Sequence, residues 1–320
     1  MGWRSFISLP ACGASTPPTL ALTPITVQLS FSNQAEFAGL YAADQLGYFA
    51  AQGLQVKFLE GGPQVDFVEP VVNGTAQFGI APPADVILAR AGGKPIRSIA
   101  TIYRRSPIVF FALADSGIKQ PKDFVGKKIR STLTLDQTLN AMMTRVGVSA
   151  DQYEIVYLPS DVAVFASGQV PVWGAFINVF ALDVQHAGYK LNMIFPDDYG
   201  IHFYGDVLIT SDDLIAKNPD LVKRFIAAAL KGWTYVVENP TAVGAMVLKY
   251  NPNANADMEN DRMAASIPLV NTGEDFIGWM KPEVWAGMEK TLREQGVLTS
   301  PLDVTQVYTM QFLDEIYPQK

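Results

Sequence analysis

Short apolar segments alternate with amphipathic ones along most of this chain. In the first folded stretch, residues 26–31 (TVQLSF) have the character of a buried strand, and residues 36–49 repeat apolar side chains at helical spacing. Gly53 permits a tight turn into a second strand at residues 55–60. Strand–helix–strand units place parallel strands side by side beneath helices, so the alternation predicts mostly parallel α/β sheets that are covered on both faces.

The alternation occurs in two successive blocks and ends in a series of helices. Further strands are predicted at residues 76–80 and 96–103 in the first block, and at 128–131, 154–158, 172–177 and 190–195 in the second. Amphipathic helices account for most of residues 219–316, with proline or aspartate at several of their starts.

Two largely apolar segments, residues 108–114 (IVFFALA) and 206–210 (DVLIT), separate the blocks. We interpret them as crossover strands that form a hinge between two lobes. The first lobe is then predicted to comprise residues 25–110 plus 212–320, and the second lobe residues 115–205. A chain of 320 residues is long enough for two domains, and clefts between domains are preferred ligand sites.

Residues 1–24 are interpreted as a leader and tether outside the fold. Cys12 lies in residues 9–13 (LPACG) after an apolar run, which resembles the cleavage box of bacterial lipoproteins, whose cysteine becomes lipidated. The alternative is a chance cysteine in a disordered leader. Residues 13–24 are small and proline-rich, as in a flexible tether. We therefore predict an extracytoplasmic protein, at the cell surface or in the periplasm, with a lipid anchor at Cys12.

Composition and motifs exclude several classes of function. The net charge of −7 and the pI of about 4.9 argue against a basic surface for nucleic acid. Cys12 is the only cysteine, and His186 and His202 are the only histidines, so we expect no internal disulfide and no metal site. No nucleophile elbow, metalloprotease motif or phosphate-binding loop occurs, and we predict neither an enzyme nor a cofactor.

Polar loops that follow the strands of the first block are the first candidates for a binding site. Loops 32–36, 61–64 and 81–85 each connect a strand to a helix, so they meet at one rim of the sheet, where α/β proteins bind ligands. These loops offer amides, carboxylates and aromatic rings rather than a cluster of basic side chains. They therefore favour a neutral ligand over an anion.

Several long segments resemble a known family of proteins. Residues 37–63 (FAGLYAADQLGYFAAQGLQVKFLEGGP), 73–96 (NGTAQFGIAPPADVILARAGGKPI) and 224–240 (RFIAAALKGWTYVVENP) are similar to the periplasmic-binding-protein type II family, and more narrowly to its thiamin-pyrimidine-like and NMT-like solute-binding proteins. The resemblance extends over nearly all of residues 25–318. It implies a monomeric, two-lobed α/β protein that delivers a small molecule to an ABC permease in the membrane.

The branches of this family bind different ligands. Relatives that bind formylaminopyrimidine, and the related pyrimidine synthases, resemble each other in a histidine-containing run where this chain has residues 33–39 (NQAEFAG), and the synthases also use a cysteine-rich motif. Because both features are missing, the resemblance favours a heteroaromatic vitamin, with riboflavin as the first choice, over a synthase. A thiamin pyrimidine precursor is the alternative, followed by an alkanesulfonate- or nitrate-type anion.

The predicted ligand contacts follow from the chemistry of a flat ring with polar edges. Aromatic side chains would stack on the ring, amides would pair with its edge, and carboxylates or an arginine would bind ribityl hydroxyls. For Asp85 the competing interpretation is a helix-start charge, and for the aromatic residues it is the core. The predicted contacts are Asn33, Gln34, Glu36, Phe37, Tyr41, Gly62, Pro83, Asp85, Tyr103, Arg104, Thr134, Asp161, Trp173, Asn178, Asp198 and Tyr199.

Overall fold

Two five-stranded sheets form the framework of the protein in a computed structural model, which describes residues 21–62 and 64–317. The first sheet contains, in spatial order, Leu54–Leu59 (β2), Thr23–Gln28 (β1), Phe78–Ala81 (β3), Val207–Ser211 (β10) and Ile96–Thr101 (β4). The second contains Glu154–Tyr157 (β7), Lys128–Ser131 (β6), Val172–Phe176 (β8), Ile108–Leu113 (β5) and Leu191–Ile194 (β9). Each sheet with its helices is called a lobe below.

Helices follow most of the strands and dominate the last third of the chain. In the first two thirds they are Ala38–Gln45 (α1), Tyr48–Ala51 (α2), Glu69–Val72 (α3), Pro83–Ala91 (α4), Leu133–Arg145 (α5), Val162–Ala166 (α6) and Phe180–His186 (α7). The later helices are Asp212–Lys217 (α8), Pro219–Glu238 (α9), Val243–Val247 (α10), Ala256–Val270 (α11), Pro282–Glu294 (α12) and Gln311–Ile316 (α13). No helix within residues 21–62 and 64–317 is long and apolar enough to span a membrane.

In each sheet, four strands run in one direction and one strand runs against them. The strand β10 pairs antiparallel with both β3 and β4, and β5 pairs antiparallel with both β8 and β9. The other pairs, β1 with β2 and β3 and β6 with β7 and β8, are parallel. The reversed strand is always the first one after the chain has entered from the other lobe. The predicted α/β class with mostly parallel strands is therefore confirmed.

The position of the crossings requires a correction. Residues 108–114 and 206–210 were expected to be the connections themselves, but β5 and β10 lie inside the two sheets. The chain passes between the lobes just before them, at residues 102–107 and 195–206. Both segments are apolar because β5 and β10 each lie between two neighbouring strands and are buried. In sequence, such an interior strand has the same apolar pattern as a buried connection.

The start of the fold also lies earlier than the predicted boundary at residue 25. Thr23 and Pro24 belong to β1 and pair with Leu54 and Gln55 of β2. The predicted lipidation site, Cys12, lies outside the described residues. The predicted helix at residues 36–49 is interrupted at Gly47, whose φ of 73° is in the left-handed region, so that α1 and α2 are separate.

The first lobe is stabilised by close packing of α1 against α9. Gly39 and Gly232 permit this contact, since a Cβ atom on Gly232 would lie 2.0 Å from the backbone oxygen of Gly39. Phe225 of α9 stacks on Phe78 of β3 with ring centroids 3.8 Å apart, which fixes the helix on the sheet. The C-terminal helices thus belong to the first lobe and hold the loops that face the second lobe.

Candidate functional site

Two adjoining cavities lie in a cleft between the lobes. The inner cavity has a volume of about 270 Å³ and the outer cavity about 880 Å³. Small-molecule sites typically occupy about 300–1,000 Å³, so the cleft can hold a ligand of vitamin size. The residues that line both cavities come from both lobes and from the second crossing: Glu36, Pro82, Asp85, Leu133, Thr134, Phe176 and Asp206.

The strand order explains why these residues meet. Glu36, Asp85 and Thr134 each lie at or just before the first turn of a helix that follows a parallel strand. Carboxyl ends of parallel strands converge at one edge of a sheet, and the two sheets face each other across that edge. Polar side chains in the short loops between these strands and helices therefore lie at the cleft.

A pair of carboxyl groups, Glu36 and Asp206, lies at the junction of the two cavities. They are linked by a side-chain hydrogen bond, and Glu36 also accepts hydrogen bonds from Gln34 Nε2 at 2.7 Å and from Ser30 Oγ at 3.4 Å. Burial raises the pKa of both carboxyl groups, and the neighbouring charge of Glu36 raises the pKa of Asp206 well above its usual range. The raised pKa values favour a proton shared within the hydrogen bond of the pair, and the remaining lone pairs of the carboxyl oxygens are acceptors in the cleft.

The backbone around Asp206 joins the two crossings. The carbonyl of Asp206 accepts hydrogen bonds from the N–H groups of Ile102 at 2.8 Å and Tyr103 at 3.2 Å, and the N–H of Gly205 donates to the carbonyl of Tyr103 at 2.7 Å. A Cβ atom on Gly205 would lie 2.5 Å from the Cβ of Tyr103, so this approach requires glycine. The carboxyl pair is therefore attached directly to the connection between the lobes.

Asp85 adds a third carboxyl group to the cleft. It lies in the first turn of α4, whose N-cap residue Pro82 makes no side-chain capping bond. Burial, followed by the charge of Asp66, raises the pKa of Asp85. Because Asp85 lines both cavities, its carboxyl group faces the cleft as well as the helix start.

Asn178 and Tyr103 form the polar wall of the inner cavity. Asn178 Nδ2 donates to Ser266 Oγ at 2.8 Å, and Tyr103 donates to the same oxygen at 3.4 Å. The other amide atom, Asn178 Oδ1, is buried and has no hydrogen-bond partner. Since buried acceptors are rarely left unsatisfied, this oxygen is available for an N–H or O–H group of a ligand.

Apolar side chains surround the outer cavity and extend to its mouth. Phe176 contributes to both cavities, and Phe67 and Phe180 to the outer one. Four apolar or aromatic residues of the outer cavity are unusually exposed: Leu133 (79%), Tyr157 (59%), Phe31 (42%) and Val65 (39%). They come from both lobes, as expected of surfaces that a ligand or lobe closure covers.

Half of the predicted contact residues line the cleft. Glu36, Asp85 and Thr134 line both cavities, Gln34 and Gly62 the outer one, and Pro83, Tyr103 and Asn178 the inner one. Whether each of them touches a ligand stays a prediction. The other eight predicted residues line neither cavity.

The aromatic candidates Phe37, Tyr41 and Trp173 are core residues, contrary to their prediction as cleft residues. All three are at most 1% exposed. The ring of Tyr41 stacks on Tyr250 with centroids 4.1 Å apart, and its hydroxyl donates to Asn33 Oδ1 at 2.6 Å. That hydrogen bond also occupies the side chain of Asn33, so neither residue faces the cavities.

Arg104, Asp161, Asp198 and Tyr199 also lie outside the cleft lining. Arg104 is turned towards the C-terminal region and bonds Asp275 Oδ2 and Thr272 Oγ1, each at 2.6 Å. Asp161 caps α6 by accepting from the N–H groups of residues 163 and 164 at 2.7 and 3.1 Å. Asp198 and Tyr199 belong to a 3₁₀ turn, Pro196–Tyr199, on the second crossing.

Sequence reasoning missed several residues of the cleft. Asp206 was included in a crossover strand, and Arg130 is part of β6 rather than of a loop. Ser106, Phe203 and Tyr204 lie in the crossings, which the prediction placed a few residues too late. Once the crossings are located, the polar and aromatic residues within them are the signal that identifies this wall.

A two-lobed α/β fold with a cleft at the carboxyl ends of its strands defines the class of periplasmic-type binding proteins. The fold is shared with the periplasmic aliphatic sulphonate-binding protein SsuA from Escherichia coli, with a TM-score of 0.72 over 88% of this chain and 91% of that one, at 16% identity. A family model described as NMT1/THI5 like matches residues 34–243. The chain therefore belongs to the NMT1/THI5-like family.

Curated relatives include binding proteins and an enzyme. The riboflavin-binding protein RibY of Chloroflexus aurantiacus is 25% identical, covering 98% of this chain and 96% of the relative. The formylaminopyrimidine-binding protein of Halalkalibacterium halodurans is 28% identical, with 88% of each chain covered. The 4-amino-5-hydroxymethyl-2-methylpyrimidine phosphate synthase of Legionella pneumophila is 22% identical, covering 91% of this chain and 92% of the enzyme.

Proposed function

We propose that this protein is the extracytoplasmic solute-binding component of an ABC importer, and that it captures a flat heteroaromatic vitamin, riboflavin in the first instance. The observation that carries the proposal is the interlobe cleft, whose two cavities are lined by both lobes at once. A ligand in this position would bridge the lobes. Closure of the lobes would then be favoured by the extra affinity of the closed form, and a permease would recognise that form.

The cleft offers the groups that an isoalloxazine ring requires. Its uracil-like edge alternates carbonyl acceptors with an N–H donor, and the carboxyl oxygens of the Glu36–Asp206 pair can accept from that N–H. Asn178 Oδ1 provides another acceptor. Phe176 lies between the two cavities, where its ring can cover one face of a planar ligand.

The alternative ligand is a thiamin pyrimidine precursor such as a formylaminopyrimidine. One reason is the similarity to the formylaminopyrimidine-binding protein of Halalkalibacterium halodurans. Another is the presence of three carboxyl groups in the cleft, which can accept hydrogen bonds from an exocyclic amine. Riboflavin ranks first for two reasons. The riboflavin-binding relative matches over almost the whole of both chains, and the combined cavities exceed the needs of a single small ring.

We infer binding without chemical conversion. Cys12 is the single cysteine and lies outside the described residues, so none of the described side chains brings a thiol to the cleft. Residues 21–62 and 64–317 contain no group of three His, Cys, Asp or Glu side chains positioned to hold a metal ion. A lipid anchor at Cys12 and a location outside the cytoplasm complete the proposal, as the lipoprotein-like leader suggests.

A fluorescence titration tests the choice of ligand. Riboflavin fluorescence should be quenched on addition of the purified protein, and the bound flavin should be recovered unchanged after denaturation. Phe176→Ala should weaken binding by at least about five-fold, the effect of losing one aromatic contact of roughly 1 kcal/mol beyond its buried area. Phe276→Ala, at an exposed ring outside the cleft, is the matched control.

Two results would contradict the proposal. Absence of quenching, together with heat of binding for a formylaminopyrimidine, would reverse the order of the two ligands. Recovery of a chemically altered compound would replace the binding protein by an enzyme.

A further inference from the structure

One buried positive charge in the cleft has no acidic partner among residues 21–62 and 64–317. Arg130, at the end of β6, is 5% exposed. Its guanidinium group donates to the carbonyls of Leu158 at 2.9 Å and Gly174 at 2.8 Å, and to Ser160 Oγ at 3.0 Å, and it lies over the ring of Trp173. These acceptors are neutral, so they orient the guanidinium without balancing its charge.

The contrast with Arg104 shows that this arrangement is unusual within the protein. Arg104 is 8% exposed and forms an ion pair with Asp275 at 2.6 Å. Arg262, also largely buried, pairs with Glu259 at 2.9 Å. Within the described part of the chain, Arg130 forms no such ion pair. A buried charge is costly unless an opposite charge accompanies it, so the missing partner points to a ligand.

The surroundings of Arg130 face the outer cavity. Arg130, Ser131, Thr132 and Ser160 all line it, together with the first turn of α5. The N-cap residue Thr132 makes no side-chain capping bond in this helix of 13 residues. Its first N–H groups and the positive end of its dipole therefore add to the attraction of the guanidinium for an anion. Asp136 of the same turn bonds the Tyr157 hydroxyl at 2.7 Å and does not line the cavity.

We propose that the outer cavity contains an oxyanion subsite, formed by Arg130, Ser160 and the N-terminus of α5, which binds an anionic group carried by the ligand. The proposal deepens the proposed function and rests on it. The ligand would place its ring at the Glu36–Asp206 pair and its anionic end, such as a phosphate monoester, at Arg130. The two ends of the cleft thus differ in charge, which orients the ligand.

The test compares riboflavin with flavin mononucleotide, which differ by one phosphate group. The native protein should bind flavin mononucleotide at least about ten-fold more tightly, as charge-assisted hydrogen bonds to an arginine predict. Arg130→Met should remove this preference. Ser160→Asp should remove it too, because the new carboxylate would neutralise the guanidinium in place. Ser167→Asp introduces the same charge at an exposed position of the same lobe and should retain the preference.

Ser160→Asp also keeps the proposal testable if Arg130→Met fails to fold. It should raise the melting temperature of the ligand-free protein, because it supplies the missing partner of a buried charge. Flavins that bind without a preference for the phosphate, or a preference that persists in Ser160→Asp, would overturn the subsite.

A separate measurement tests the oxyanion subsite if the protein binds no flavin. If neither flavin binds, inorganic phosphate is titrated at constant ionic strength and the melting temperature is followed. A saturable increase in the native protein that is lost in Ser160→Asp would support the subsite without flavin. No increase, or an equal increase in both proteins, would reject it.

Discussion

Replacement of Asp206 by asparagine should stabilise the protein at neutral pH. Asp206 is enclosed at the junction of the cavities, beside Glu36, and its pKa is raised well above the ordinary value by burial and by that neighbour. Asparagine keeps the shape and the hydrogen-bonding atoms but cannot ionise. The variant therefore avoids the cost of placing two negative charges together in a poorly hydrated site.

The sign and size of the effect follow from linkage. A carboxyl group whose folded-state pKa is raised contributes stability that is fully present below the unfolded-state pKa and is lost as the pH rises through the folded-state pKa. Between the unfolded-state and folded-state pKa values of Asp206, the free energy of unfolding of the unsubstituted protein should fall by up to about 1.4 kcal/mol per pH unit relative to that of Asp206→Asn. For a chain of 320 residues, with an unfolding entropy of about 2 cal/mol/K per residue, this equals roughly 2 °C per pH unit.

Differential scanning calorimetry of both proteins from pH 4 upwards measures this difference directly. The gap in melting temperature should be small at the acidic end and open in favour of Asp206→Asn as the pH rises. Glu36→Gln should show a gap of the same sign, because burial also raises the pKa of Glu36. Asp115→Asn, at an exposed position, controls for the loss of one negative charge. A constant gap across the range, or a variant less stable at neutral pH, would refute the argument.

Two further substitutions test the packing assignments. Arg104→Met should lower the free energy of unfolding by about 2 kcal/mol, because it removes the charged hydrogen bond to Asp275, which keeps Lys281 as a partner at 3.1 Å. Riboflavin affinity should be unchanged, and weaker binding in a protein of unaltered stability would return Arg104 to the site. Gly39→Ala should cost about 1–3 kcal/mol, because its Cβ would lie 2.3 Å from the ring of Trp233. Gly287→Ala, where a Cβ meets nothing within 4 Å, should instead gain up to about 1 kcal/mol, and urea denaturation that ranks the two variants equally would contradict the packing.

The loops of the cleft were accessible to sequence reasoning because their position depends on local order. A short loop between a parallel strand and the next helix must lie at the carboxyl edge of the sheet, whatever the rest of the chain does. The contacts predicted in loops 32–36, 61–64 and 81–85 were Asn33, Gln34, Glu36, Gly62, Pro83 and Asp85. All of them except Asn33 line the cavities.

The sequence did not distinguish aromatic residues of the cleft from aromatic residues of the core. Phe31 and Phe37 flank the same loop, yet Phe31 is 42% exposed at the outer cavity and Phe37 is 1% exposed in the core. The difference depends on Tyr250 and α11, which are more than 200 residues away in sequence and fill the space beside Tyr41 and the first loop. No local pattern contains that information.

The sequence by itself determined the strand–helix alternation, the α/β class and the rim formed by the strand-to-helix loops, because these depend on neighbours along the chain. Only the tertiary structure decided that Glu36 meets Asp206, that Arg104 is neutralised by Asp275, and that Arg130 has no acidic partner among the described residues. The charge state and the orientation of a side chain depend on partners brought together by folding. Asp206 and Asp275 are distant in sequence from Glu36 and Arg104, and the neutral acceptors around Arg130 also come from other segments of the chain.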